Sequence, residues 1–185
     1  DLHSFPTRRS SDLWQNFTEV RWDVRPSPRL GTIEVRACDA ATNLTELAGI
    51  AALTQCLVES FSRTLDSGGE LDVMPAWYVD ENKWRSARYG MDAILITDSL
   101  GNEELVTDTV ERMLTELAPV AADLGCESEL DGVRATLEAG ASYQRQLAAV
   151  RAGGGNEAAV RLLLAELRAG RPLRPEEVAS PAAPA

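Results

Sequence analysis

Between residues 20 and 37, apolar and charged side chains alternate. Val20, Trp22 and Val24 are interleaved with Arg21, Asp23 and Arg25, and Ile33, Val35 and Ala37 with Thr32, Glu34 and Arg36. A period of two is the mark of half-buried strands. Pro26, Pro28 and Gly31 fall between the two runs, where turn chemistry belongs, so the segment predicts an antiparallel hairpin. Its apolar face, Val20, Trp22, Ile33 and Val35, is expected to pack inward on helices and its charged face to line the other side. A two-stranded hairpin is marginal alone, so further strands are expected upstream.

The rest of the chain carries the helical period. Asn43 with Glu46 three residues on reads as a capping box. Leu44, Leu47, Ala48, Ala51, Leu57, Val58, Phe61 and Leu65 follow as an apolar stripe that Gly68 and Gly69 end. A short helix is predicted from Asp80 to Tyr89, closed by Gly90. Met91 to Thr97 reads as a buried strand or an extended connection, and Asp98 to Gly101 as a turn. Three more helices are predicted. One runs from about Thr107 to Leu124, with Val110, Met113, Leu114, Leu117 and Ala121 on its apolar face. The next spans about Ser128 to Arg151, and the last about Asn156 to Arg168, after a break at Gly153-Gly154-Gly155. Residues 171–185 are rich in Pro, Ala and Glu and are expected to form a disordered tail. The fold class is α+β: an antiparallel hairpin or partial sheet with several packed helices.

Charge and composition narrow the function. Residues 1–13, DLHSFPTRRSSDL, read as the in-frame translation of a sequencing-library adapter and are set aside. They hold the chain's one histidine, His3. They also hold two arginines and two aspartates, so the net charge of −11 is unchanged without them. An acidic surface argues against a general nucleic-acid binder, because phosphate attraction dominates such binding. No apolar run approaches the ~20 residues a membrane-spanning helix needs. Cys38, Cys56 and Cys126 are odd in number and irregularly spaced. They form neither a disulfide framework nor a zinc pattern and are expected to be reduced, buried thiols of a cytoplasmic protein. Trp22 and Trp84 are expected in the core.

The hairpin's charged face is where chemistry is expected. An amphipathic hairpin with one solvated side would account for it. The mixture of a carboxylate with several guanidinium groups also suits a metal-bound polyphosphate. Magnesium takes one or two carboxylates and bridges phosphate oxygens. Arginine's planar fork matches phosphate and carboxylate and neutralises charge on a transferring phosphoryl group.

Three stretches carry a family resemblance: Trp22-Asp23-x-Arg25-Pro26-Ser27-Pro28 with Gly31-Thr32-x-Glu34-Val35-Arg36 and Asp39; Glu81-Asn82-Lys83-Trp84-x-x-x-Arg88-Tyr89-Gly90; and Ala141 to Gln146 before a glycine run. In order and spacing they resemble the C-terminal half of the carboxylate–amine ligases, the type 2 glutamate–cysteine ligases. The resemblance implies that residues 14–170 are the C-terminal part of a ligase catalytic domain with a glutamine-synthetase-like fold. It implies Glu34 as a Mg²⁺ ligand and Arg36 as a contact to ATP phosphate, with Arg25 on the same catalytic face. Asn82, Lys83 and Arg88 would contact substrate or nucleotide. The implied reaction phosphorylates the γ-carboxylate of glutamate with ATP; an amine such as cysteine then displaces phosphate and forms an amide. Positioning and charge neutralisation would be the protein's contribution.

The chain also departs from the family. The acidic Gly-x-Glu-x-Glu strand and the His-x-His strand of the family's first half are missing from it. The 185-residue chain is therefore expected to be an inactive fragment, with an exposed sheet edge that favours association with further copies. The alternative is a non-catalytic α-rich interaction domain whose hairpin charges serve solubility. The relative direction of Glu34 and Arg36 separates the two readings.

Overall fold

The computed structural model describes residues 22–178. The chain divides into two compact units, residues 1–41 and 42–185. Among the described residues the class is α+β, with two small antiparallel sheets and six α-helices.

In the first unit, β1 (Val24–Ser27) pairs antiparallel with β2 (Thr32–Val35), with Val24 opposite Val35, Arg25 opposite Glu34, and Pro26 opposite Ile33. The amide of Arg36 donates to the Asp23 carbonyl at 2.7 Å and extends the ladder by one step. Gly31, at φ +62°, supplies the left-handed residue that closes the turn. Trp22, Val24, Ile33 and Val35 are all exposed, so the expectation that Trp22 lies in the core is corrected. A two-stranded ribbon has no second layer of its own to cover them. Cys38 is exposed too, contrary to expectation. Arg21 and Val20, and the whole of residues 1–13, lie outside the described residues.

The second unit opens with α1 (Leu44–Asp66). As expected, Asn43 caps it, the side chain accepting from the Glu46 amide at 3.0 Å. The buried face is not the predicted stripe. Glu46, Gly49, Ala52 and Cys56 are buried, whereas Leu44, Leu47, Phe61 and Leu65 are about half exposed or more. The cause lies in a close helix crossing with α4 (Glu127–Ala139). A Cβ on Gly49 would stand 3.1 Å from the Val133 amide nitrogen, and one on Gly132 would stand 2.9 Å from the Thr45 carbonyl oxygen. Small residues on both helices let the backbones approach, so the small face is the core face.

The next helix, α2 (Ala76–Tyr89), starts four residues before the expected Asp80. Pro75 opens it, its carbonyl accepting from the Tyr78 amide at 2.9 Å. Trp84 on this helix is exposed rather than core. A 3₁₀ turn (Gly90–Asp92) leads into β3 (Ile94–Ile96), which pairs with β4 (Glu103–Leu105) around the expected turn. Asp98 organises that turn, accepting from the amides of Leu100 and Asn102, each at 3.0 Å.

The helix α3 (Val106–Leu124) follows directly, and its Leu114, Leu117, Val120 and Ala121 join Ala52, Cys56 and Leu130 in the main core. The single helix expected over Ser128–Arg151 is two: α4 and α5 (Ser142–Ala149), separated at Gly140, where φ is +83°. A π turn (Val150–Gly154) with Gly153 at φ +99° marks the expected glycine break before α6 (Gly155–Ala169). The disordered tail expected from residue 171 is corrected over 171–178. Leu173 is buried with Ala149 and Leu162 in a second core cluster, and Pro175–Glu177 form a 3₁₀ turn. Among the described residues, no helix is long and apolar enough to cross a membrane.

Candidate functional site

The hairpin register decides which charges meet. Side chains alternate across a ribbon, so Asp23, Arg25, Thr32, Glu34 and Arg36 share one face. Arg25 Nε donates to Glu34 Oε2 at 2.8 Å, and its terminal nitrogen pairs with the same oxygen. Arg36 donates to Glu34 Oε1 at 2.8 Å. Both carboxylate oxygens are thus held by guanidinium groups. The hydrogen bond from Arg25 is the main cause that keeps the Glu34 carboxyl below its ordinary value of 4.5, with Arg36 adding to it. Glu34 and Arg36 project from the same face of the hairpin and are joined there by an ion pair. Exposed ion pairs add little stability, so the trio is not what holds the hairpin together.

The other expected site residues lie on α2 in the second unit. Lys83 and Arg88 are exposed, and the Arg88 guanidinium sits 5.7 Å from the ring centre of Tyr89. Asn82 is committed elsewhere. Its Nδ2 donates to the Ile96 carbonyl at 2.7 Å and its Oδ1 accepts from the Ile96 amide at 2.8 Å. This side chain pins α2 to β3.

A buried ionic cluster escaped the sequence reading. Arg145 on α5 is 2% exposed, Glu46 7% and Glu166 0%. Arg145 Nε donates to Glu166 at 2.6 Å, while its two terminal nitrogens donate to the two oxygens of Glu46 at 2.9 and 3.1 Å. Thr42 donates to Glu166 at 2.6 Å, Asn43 to Glu46 at 2.6 Å, and the Leu173 amide to Glu166 at 3.2 Å. Burial works against the Arg145 charge, but its bonds to Glu166 and Glu46 outweigh that and leave it more basic than usual. The cluster binds the start of α1 to α5, α6 and the segment after α6. A cleft of about 520 Å³ opens beside it, bordered by Met91, Asp92, Gln144, Arg145 and Arg174. None of the residues expected in the site lines this cleft.

Comparison with known proteins identifies the family. The chain matches Glutamate-cysteine ligase family 2 (GCS2) over residues 6–164, a match that takes in part of the segment set aside as adapter. The chain belongs to that family. It is 53% identical over 154 residues to a protein of Arthrobacter sp. (strain FB24) provisionally named glutamate–cysteine ligase 2-1, covering 83% of this chain and 40% of that protein. A provisionally named glutamate–cysteine ligase 2 of Mycobacterium tuberculosis (strain H37Rv) is 49% identical over 161 residues, covering 86% of this chain and 43% of that protein. The chain spans about two fifths of the length of these relatives.

Proposed function

We propose that the chain is the C-terminal part of an ATP-dependent carboxylate–amine ligase of the glutamate–cysteine type, in a glutamine-synthetase-like fold. The observation that carries the reading is Glu34 held between Arg25 and Arg36 on one hairpin face. The donor set fits a magnesium-bound polyphosphate. Among the described residues no cluster of three or more His, Cys, Asp or Glu could hold a metal unaided, and magnesium held by one carboxylate plus phosphates and water needs none. Glu34 would hold the metal, which would supply charge neutralisation at the phosphates. Arg36 and Arg25 would exchange Glu34 for phosphate oxygens, an exchange for which the planar guanidinium is suited.

The reaction would join the γ-carboxylate of glutamate to an amine such as cysteine through a γ-glutamyl phosphate. The hairpin's part would be to orient the phosphates and balance their charge. The 185-residue chain by itself is expected to be inactive, releasing no phosphate from ATP with glutamate and cysteine. A decisive experiment grafts this chain in place of the matching residues of the Arthrobacter relative. The graft should form γ-glutamyl–cysteine, and Glu34→Gln and Arg36→Ala should each lower kcat by about 100-fold. Turnover unaffected by either substitution would overturn the assignment and favour a non-catalytic interaction surface.

A further inference from the structure

We infer that Cys56 and Cys126 form a reversible disulfide that staples α1 to the corner between α3 and α4. Their Sγ atoms lie 3.7 Å apart, in van der Waals contact. Cys56 is wholly buried in the middle of α1, in the core with Ala52, Leu114, Leu117 and Ala121. Cys126 is only partly buried. It sits in the two-residue connection between Leu124 and Glu127, behind Gly125, whose left-handed φ of +68° turns the chain. One thiol therefore lies at a partly exposed corner, and the other is buried in contact with it. Closing the bond requires the sulfurs to approach to ~2.05 Å. The Cys126 backbone is held by its amide donating to the Ala121 carbonyl and its carbonyl accepting from the Leu130 amide, each at 3.0 Å, so the approach falls to rotation of the two side chains.

A low-molecular-weight disulfide is a sufficient oxidant. The Cys126 thiolate attacks one sulfur of the reagent, and a mixed disulfide forms as one thiol leaves. Cys56 then gives up its proton and attacks the Cys126 sulfur, expelling the second thiol. The two protein thiols are oxidised and one reagent disulfide is reduced to two thiols.

The environment of Cys56 regulates the second step. Burial is the main cause that raises its pKa to about 11, with Cys126 contributing. The side chains packed around it from α3 and α4, namely Leu114, Leu117, Val120, Ala121 and Leu130, are apolar. Cys126 is the titratable group that faces it. The nearby charges Glu59 and Asp123 are exposed and paired with Arg63. Cys56 is therefore protonated at neutral pH, and closure should quicken as pH rises toward 11.

The test uses the full chain with Cys38→Ser, which removes the exposed third thiol, and oxidised glutathione as the probe. Peptide mass mapping should find Cys56 linked to Cys126, with both thiols restored by dithiothreitol. The thermal midpoint should rise on oxidation, because the bond closes a long loop of the unfolded chain. In a Cys56→Ala variant, glutathione should remain attached to Cys126. Two free thiols after native-state exposure, glutathione persisting on Cys126 with Cys56 present, or linkage formed only in denaturant would each overturn the inference.

Discussion

Arg145 and Glu166 meet at 2.6 Å with both side chains removed from solvent, and Glu46 completes the pair into a triad from the other side. Two acids and one base have been brought into the interior, and each of the four carboxylate oxygens accepts from Arg145, Thr42, Asn43 or the Leu173 amide. Removing one partner from such a group exposes the others to the cost of burial without compensation.

Arg145→Met should therefore lower stability by about 3–5 kcal/mol, since Glu46 and Glu166 would be left unpaired in the core. Arg145→Lys should be nearly as harmful, because one ammonium cannot reproduce the fork that reaches both carboxylates. Urea denaturation of the three proteins measures this; a shift within a few tenths of a kcal/mol would show that the triad contributes no stability.

Gly132→Ala should cost about 1–3 kcal/mol. The new Cβ would stand 2.9 Å from the Thr45 carbonyl oxygen, a backbone atom that cannot swing aside. The helices must separate, and the core around Ala52 and Leu130 loses contact. The midpoint of thermal unfolding, compared with that of the parent chain, reports the effect.

Asn82→Ala should destabilise the α2–β3 contact by about 1–3 kcal/mol, because it leaves the buried Ile96 amide and carbonyl without their partners. Faster hydrogen exchange at Ile96 would localise the loss. An Asn82 variant in the grafted ligase should fall in stability before it falls in nucleotide affinity. The reverse order would return Asn82 to the binding site.

Glu34 provides the pH dependence of the hairpin. Its folded pKa is depressed by Arg25 and then Arg36. Its contribution is thus present above its ordinary value of 4.5 and is lost as pH falls through the lower, folded value. Carboxyl resonances followed by NMR should place the Glu34 midpoint below 4.5, and Arg25→Gln should move it back up. A midpoint that Arg25→Gln leaves unmoved would show that the guanidinium does not set it.

Local chemistry was readable from the sequence, and tertiary choice was not. The Asn43 cap and the turn at Asp98 each rest on a side chain bonding its own neighbourhood, and the turn at Gly31 on the positive φ that glycine allows, so short spacing is enough. The charged set on the hairpin followed from the period of two alone. Large apolar residues do not mark the core face of α1, because Gly49 and Gly132 allow an approach that only small residues permit. The strand β4, Glu-Glu-Leu, carries no apolar alternation and is formed by its pairing with β3. The break at Gly140 is hidden in the sequence because apolar residues on both sides continue the helical spacing. The Arg145–Glu46 pairing spans 99 positions, and no pattern along the chain could have joined them. The Trp84 and Cys38 errors share one cause, for hydrophobicity alone does not say what a residue will find to pack against.

The large apolar side chains of α1 leave a lasting mark on how this polypeptide behaves in a test tube. Leu44, Leu47, Val58, Phe61 and Leu65 are wetted while the small face is already filled, which makes the helix a rod with one dry edge and one oily edge. Exposed hydrocarbon in water drives molecules together, so a dilute preparation should light up a hydrophobic dye and a concentrated one should sediment as larger species. Mild detergent should reverse both.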